Sequence, residues 1–409
     1  MKEIDEENNN KKKEIKEGMK VESPLGTFEI LTMEKPPPDP DNYGFSDFSF
    51  KNILEKDPLF KHVISHINEY LSSEELSLDK SKKDIEEFSN FINFDEFSKE
   101  IIEKILSNGI PETLPCLRPL IWKSLIGFYP LKDLKNWKNE TIKKDSKYKE
   151  IKEKYKFYPD NITLEEDKNI IIQINKDLPR TRFDCPFFED KNKNDDKENN
   201  YDVLRRILFY YSHEHSEVSY VQGMNEIIAI IFYIFSKDDN PFNMKYAESD
   251  SYFAFEILLE QIKDIFQMEG INYSQLFVTL QINEIKKILK KIDPELLKYF
   301  EDIDLEIDNF VLRWILVLFA QEFTIDVAVN FWDRLFTQKN KMKFICYISV
   351  AIIKIHRNEI MKMDSTEVME WAQNLQNKMN EMDVNNIVKI AVDIQKKYNK
   401  KEDNNIILK

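Results

Sequence analysis

Glycine is almost absent from this chain. Only seven of its 409 residues are glycine, whereas average usage is about 7%. Tight hairpins and phosphate-binding turns need glycine for positive φ angles and for close backbone approach. Each glycine is at least eight residues from the next, so neither GxGxxG nor GxxxxGK can be written. The chain therefore has no dinucleotide fingerprint and no Walker loop.

The length and net charge of the chain limit the number of domains it can hold and the partners it can bind. At about 100–200 residues per domain, the chain holds two or three domains, or one large domain with an appendage. The net charge is −15, and the one triple-basic run is Lys11 to Lys13. No basic face for nucleic acid is visible, so nucleic acid is not expected as a partner.

The cysteines and the apolar runs indicate the compartment. The three cysteines are odd in number and scattered, which predicts a reducing compartment and excludes a disulfide framework or a cysteine-based zinc site. The N-terminus has no apolar signal region. The longest apolar run, 227–235, has nine residues, whereas a membrane span needs about 20. We expect a cytoplasmic protein without a membrane span.

Apolar residues recur at helical spacing over most of the sequence. Amphipathic stripes fall at 203–211, 285–292 and 387–398. The stretches that are apolar on more than one side, as in buried helices, are 224–236, 252–266 and 310–322. The β-branched run 170–174 is too short to change the prediction of an all-α fold.

Three segments depart from this pattern. Residues 1–20 are charged and Asn-rich and 36–40 are proline-rich, which predicts a disordered tail and a stiff linker over 1–44. Residues 132–156 are lysine-rich with weak periodicity, and 189–200 contain no apolar residue. We predict both as solvated insertions.

Histidine pairs are the first candidates for chemistry. His62 and His66 could share a helix face, but no nearby Cys or HExxH glutamate completes a metal site. His213 and His215 are equally incomplete. Surface histidines are the expected interpretation, so no metal site is predicted. The five histidines give no support to a triad of a nucleophile and a base.

Arg180 is a stronger candidate. Pro179 prevents a regular helix from continuing, and an arginine braced there could project its guanidinium outward. This planar five-donor group suits phosphate oxygens. A surface salt bridge with Asp177 is the alternative.

Gln222 is the second strong candidate. It precedes Gly223, where a loop turns into the apolar run that follows. A glutamine amide both donates and accepts, so it could hold a water molecule and contact a phosphate oxygen together. A helix N-terminal cap beside a core tyrosine, Tyr220, is the alternative.

Together these elements resemble the TBC domain family, the GTPase-activating modules for Rab GTPases. The segment IxxDxxR ends at Arg180, and YxQGMN places Gln222 42 positions later. Three further stretches resemble motifs of the family and follow one another in the family's order. They are 109–111 with 117–122, 313–314 with 321–323, and 331–336. Residues 220–227 and 313–323 most resemble the subgroup of TBC domain family member 13.

The resemblance implies an all-α, two-lobed domain whose groove receives a GTP-bound Rab-family GTPase. Arg180 would be the arginine finger and Gln222 the glutamine finger. An arginine supplied in trans accelerates GTP hydrolysis by roughly 10³–10⁵. The chain would need no cofactor of its own, because GTP and Mg²⁺ belong to the partner. It would act in vesicle trafficking, with peripheral recruitment to endomembranes through the Rab.

Other matched residues would support the fingers. Asp177 would hold the finger loop and Tyr220 would brace Gln222, while Arg118, Gly223 and Asn225 would support the site or contact the GTPase. The implied domains are a helical N-terminal extension at 45–104, the TBC domain at 105–397 with halves 105–225 and 226–397, and a tail at 398–409. A non-catalytic Rab-binding effector or scaffold with the same fold is the alternative function.

Overall fold

A computed structural model of the chain divides it into two units, Met1–Ser49 and Phe50–Lys409. The residues it describes are 20–23, 26–29, 57–72, 85, 99–108, 110, 114, 116–131, 133–157, 165–188, 199–265, 273–379 and 381–407. Most of the predicted tail, the Gly109 and Pro111 of the first TBC motif, and most of the charged segment 189–200 lie outside them.

The described part of the first unit is a β-hairpin. Strand β1 (Lys20–Ser23) pairs antiparallel with β2 (Gly26–Glu29), and Val21 lies opposite Phe28. The sequence prediction for residues 1–44 did not include this hairpin. Val and Phe favour strands, but each strand is too short to produce a readable alternating pattern.

In the second unit, every regular element among the described residues is a helix, so the all-α prediction is confirmed. The first group is α1 (Pro58–Ser72), α2 (Lys99–Asn108), α3 (Leu117–Leu125), α4 (Trp137–Tyr155), α5 (Glu165–Asp177), α6 (Asn200–Glu214), α7 (Met224–Ser236), α8 (Pro241–Met244) and α9 (Ala247–Gln261). Helices α4, α6 and α9 pack on one another, α7 packs on α6 and α9, and α1 packs on α4 and α8.

The second group follows in the chain. It consists of α10 (Tyr273–Ile292), α11 (Pro294–Asp302), α12 (Asp308–Leu316), α13 (Ile325–Thr337), α14 (Lys341–Ile355), α15 (Arg357–Ile360), α16 (Ser365–Gln373) and α17 (Glu381–Ile407). Helix α14 is central, in contact with α10, α12, α13 and α17, and α13 joins the two groups by packing on α3 and α7. No described helix is both long and apolar enough to cross a lipid bilayer.

Side chains at the helix ends fix where several helices start. Asn199 and Asp202 form a reciprocal capping box at α6, and Asp364 and Glu367 form another at α16. Such boxes satisfy backbone N–H groups that have no partner inside the helix. At α7, in contrast, the residue before the helix is Gly223, with no side chain to cap it.

Two predicted boundaries fall inside helices. The boundary between halves, at 225/226, lies within α7, which packs with α6 and α9 and so belongs to the first group. Helix α17 continues to Ile407, past the predicted start of a tail at 398. Its sequence contains no glycine or proline that would stop it.

The prediction that 132–156 is a solvated insertion is wrong. Most of this segment is α4, which buries Trp137, Thr141, Tyr148 and Ile151. These four positions share one helix face, but the lysines and glutamates between them hide the stripe from a periodicity count. The helix is thus part of the core, in contact with α6 and α9.

The buried stretch 310–322 is helical only in its first part. Helix α12 ends at Leu316, and Leu318 and Phe319 have φ angles of 50° and 61°. A right-handed helix cannot continue through left-handed residues. The segment 317–323 stays largely buried as an irregular connection, and it carries Gln321 to the site described next.

Candidate functional site

Arg180 lies at the end of a short 3₁₀ turn, Leu178–Arg180, that follows α5 directly. Its side chain is 73% exposed. The guanidinium Nε and Nη2 donate to the Lys176 carbonyl at 3.2 and 3.1 Å, and Nη2 lies 3.4 Å from Asp177 Oδ1. The salt bridge weighed as the alternative therefore exists, but it is long and lies at the surface.

Asp177 also makes a shorter and more buried contact. Its Oδ2 accepts a hydrogen bond from the Tyr220 hydroxyl at 2.7 Å. Burial, with the Asp177 carboxylate as the next cause, raises the pKa of Tyr220 well above its usual value. The phenol therefore stays protonated and remains a donor. This bond joins the arginine turn to the segment before α7.

Asn225 makes a second connection between the same two segments. Its Nδ2 donates to Thr181 Oγ1 at 2.9 Å, and its Oδ1 accepts from the Gly223 N–H at 3.0 Å. Asn225 and Thr181 are buried. Buried hydrogen bonds of this kind contribute about 1 kcal/mol each, so the network holds the backbone at Arg180 and Gln222 in a fixed relation.

Gln222 is exposed, and no hydrogen bond to its amide is found among the described residues. The next residue, Gly223, has φ of +104°, and a Cβ there would lie 2.9 Å from Val317 Cγ1. Only glycine fits both restrictions without strain. The turn thus presents Gln222 outward while α7 runs into the core.

Arg180 and Gln222 line one cavity of about 110 Å³, together with Asp177 and Asn225. The structure therefore brings together four residues predicted from separate motifs. Tyr220 and Gly223 lie behind this cavity, in contact with its lining. The catalytic roles of the two exposed side chains stay predictions.

Two lining residues were missed by the sequence analysis, Glu226 and Gln321. Glu226 is only 2% exposed, and burial raises its pKa to about 7, although a 3.1 Å hydrogen bond from Gln321 Nε2 favours the ionised form. Glu226 was hidden because an acid in the first turn of a helix is ordinary. No local signal could have placed Gln321 opposite it.

Arg182 ties the turn that carries Arg180 to the second group of helices. It is 3% exposed, and its Nη1 donates to the carbonyls of Ala320 and Phe323 at 2.6 and 3.0 Å. Its neighbour Phe183 is 75% exposed. Both line a larger groove of about 530 Å³ that also includes Arg180.

Arg118 is held elsewhere. Its Nε lies 3.3 Å from both carboxylate oxygens of Asp333, and Trp122 Nε1 donates to Asp333 Oδ1 at 2.7 Å. These contacts tie α3 to α13 around a fully buried carboxylate. Arg118 does not line the cavity, so contact with a GTPase stays a prediction for this residue.

Arg313, from the sequence stretch 313–314, supports the cavity indirectly through the segment that carries Gln321. Arg313 donates from Nε and Nη2 to the two oxygens of buried Glu322 at 2.6 and 2.7 Å. This two-point contact holds the segment that carries Gln321. Trp314 is fully buried.

The histidines behave in two ways. His213 pairs with Asp167 and His215 with Glu256, as expected for helix-surface histidines. For His62 and His66, however, the prediction that no further ligand is near is wrong. Folding places Cys116 and Asp239 beside them, and these four residues could hold a metal ion.

Comparison with known proteins agrees with the fold and the motifs. The Rab-GTPase-TBC domain profile matches residues 115–361, which is more than half of the chain. The chain belongs to this family. It is similar to TBC1 domain family member 13 of Homo sapiens, with 31% identity over 177 residues, covering 43% of this chain and 44% of that protein.

Two further likenesses concern one yeast protein. GTPase-activating protein GYP1 of Saccharomyces cerevisiae is 25% identical over 293 residues, covering 64% of this chain and 42% of that protein. The chain thus spans less than half the length of either curated relative. The crystal structure of the Ypt/Rab-GAP domain of Gyp1p superposes with a TM-score of 0.64 at 24% identity, covering 77% of this chain and 99% of that domain, which shows the fold.

Proposed function

We propose that this chain is a GTPase-activating protein for a Rab-family small GTPase and that it supplies Arg180 and Gln222 to the partner's nucleotide site. The shared cavity carries this proposal, because a guanidinium and an amide are exposed there on backbones joined by one buried network. GTP and Mg²⁺ are the partner's. The chain reaches endomembranes peripherally, through the Rab.

The resting contacts of Arg180 are cheap to break. An exposed ion pair between residues one helical turn apart contributes about 0.3–0.5 kcal/mol. A rate gain of roughly 10³–10⁵ from an arginine finger corresponds to about 4–7 kcal/mol of transition-state stabilisation. The two hydrogen bonds to the Lys176 carbonyl add about 0.5–1.5 kcal/mol each. The gain still exceeds the total cost, so these contacts hold a resting position from which the guanidinium moves to the γ-phosphoryl oxygens.

The amide of Gln222 needs no such rearrangement, since it has no described partner to leave. It can accept a hydrogen bond from the attacking water and donate one to a phosphate oxygen. Groups held in place before the reaction stabilise developing charge most effectively. In this account Gln222 does the work of the GTPase's own glutamine.

The larger groove provides a docking surface beside the fingers. Phe183 is exposed and lines this groove together with Arg180 and the buried Arg182. Exposed aromatic side chains on rigid supports are common anchors of protein interfaces. We infer that the GTPase packs on Phe183 when its nucleotide meets the fingers.

Single-turnover GTP hydrolysis across a panel of Rab proteins tests the function. With the best Rab, Arg180→Ala should abolish activation, and Arg180→Lys should fail nearly as badly because an ammonium cannot make the two-point contact. Arg357→Ala, which removes a surface arginine paired with Asp293, should behave as wild type. A Lys variant that keeps more than about a tenth of the rate, a loss under about 1.4 kcal/mol, contradicts the finger assignment.

A Rab whose own glutamine is replaced by leucine tests the second finger. It should still respond to the wild-type chain, and Gln222→Ala should lower the rate by about 10²-fold on either Rab. The alternative that Gln222 caps α7 is wrong, because the capping position is Gly223 and no side chain makes a capping hydrogen bond. If Gln222 has no catalytic role, the variant therefore keeps its rate. GTP-dependent Rab binding without any acceleration would instead favour the effector alternative.

A further inference from the structure

Four side chains with metal-binding atoms meet away from the finger cavity. His62 and His66 lie on α1, Cys116 immediately precedes α3, and Asp239 lies between α7 and α8. One ligand atom from each lies within 4.8 Å of all the others. The four come from three separate parts of the chain, so only the tertiary structure assembles them.

The distances approach those of a tetrahedral site. His62 Nε2 lies 3.1 Å from Asp239 Oδ1, and His66 Nδ1 lies 3.5 Å from Asp239 Oδ2. Zinc bound by nitrogen and oxygen at about 2.0–2.1 Å and by sulfur at about 2.3 Å has neighbouring ligands roughly 3.3–3.7 Å apart. A contraction of up to about 1.5 Å between the most distant pair would bring the whole set to this spacing.

Two of the ligand atoms lie close together without the geometry of a hydrogen bond. His62 Nε2 and Asp239 Oδ1 are buried and form no well-directed hydrogen bond despite their 3.1 Å separation. A buried polar atom without a partner is costly. Both atoms would gain a well-directed partner if they bound one ion between them.

Hydrogen bonds hold the turn around Asp239 and connect it to α1, the helix that carries the two histidines. Asp238 accepts from the Asn240 N–H at 2.9 Å and from Asn243 Nδ2 at 2.7 Å, which fixes the turn around Asp239. Asn240 Nδ2 donates to the Leu59 carbonyl at 2.8 Å, tying that turn to α1. The two histidines are one helical turn apart, with ring centroids separated by 4.0 Å. These bonds limit how far the backbone can move at Asp239 and at the start of α1.

We propose that His62, His66, Cys116 and Asp239 bind one zinc ion, which holds α1 against the rest of the helical domain. Two neutral imidazoles, a thiolate and a carboxylate balance the charge of Zn²⁺. Imidazole and thiolate ligands select zinc over Mg²⁺ or Ca²⁺. Four protein ligands fill a tetrahedral shell, so the site is structural.

Metal content of the full-length chain tests the proposal. After purification, incubation with Zn²⁺ and dialysis, elemental analysis should find about one zinc per chain. Cobalt in its place should show the intense thiolate charge-transfer band and the visible bands of a tetrahedral ion. Wild type that retains no zinc, or cobalt bound without the thiolate band, would overturn the proposal.

Variants locate the ion. Cys116→Ala and His66→Ala should each lose the retained zinc, whereas Cys346→Ala, a matched change at another buried cysteine, should keep it. If the two site variants retain as much zinc as wild type, the ion is bound elsewhere. Hydrogen exchange on the wild-type chain gives a readout that needs no variant. Removal of the zinc with a chelator should increase the exchange rate of backbone amides selectively in α1. Unchanged exchange in α1 would contradict the proposal that zinc holds this helix.

Discussion

Gly223 offers the sharpest test of how the backbone positions Gln222, the proposed glutamine finger. Replacing it with alanine forces a side chain into φ of +104° and puts a Cβ 2.9 Å from Val317 Cγ1. The left-handed conformation costs about 1–2 kcal/mol, and overpacking adds about 1–3 kcal/mol. We expect Gly223→Ala to lose about 2–5 kcal/mol and still fold, because domains are stable by about 5–15 kcal/mol.

The chain provides a matched control. Gly127 also has positive φ, +89°, but a Cβ there would meet nothing within 4 Å. Gly127→Ala should therefore lose only the conformational part, about 1–2 kcal/mol. The difference in unfolding free energy between the two variants measures the contact with Val317 alone.

Activity separates positioning from stability. Relieving the contact with Val317 requires α7 or the Gln222 turn to move by a few tenths of an ångström or more, and displacement of about 1 Å can cost 10²-fold in rate. We expect kcat/KM on the best Rab to fall 10- to 100-fold for Gly223→Ala and less than threefold for Gly127→Ala. Equal stability losses, or a wild-type rate for folded Gly223→Ala, would refute the reasoning.

Two further outcomes are expected. Because the folded-state pKa of Glu226 is about 7 against an ordinary 4.5, its protonation stabilises the fold below pH 4.5, and this contribution is lost as the pH rises through 7. The unfolding free energy of Glu226→Gln relative to wild type should thus rise by about 3 kcal/mol from pH 4.5 to pH 8, and a flat difference in denaturant titrations would contradict the burial argument. A chain starting at Gly44 should keep its kcat/KM, because residues 1–40 show no amphipathic stripe in the sequence and end in a proline stop; a large loss would place them in the docking surface.

Local information in the sequence was enough for the fold class, and it also gave the prediction that Arg180 and Gln222 are the two fingers. Helical spacing depends on residues three and four apart, so α6 and α7 could be recognised directly. Pro179 before Arg180 and Gly223 after Gln222 are also local signals of turns. Where charged residues dilute the stripe, as in α4, the same method failed.

Contacts between distant residues were decided by the tertiary structure alone. The Tyr220–Asp177 bond, the approach of Gln321 to Glu226, and the meeting of Cys116 with His62 all join segments far apart in the chain. No periodicity records such pairs, because they depend on how whole helices pack. The sequence by itself thus determined the helices and indicated Arg180 and Gln222 as candidates, whereas packing of the helices decided which side chains stand together.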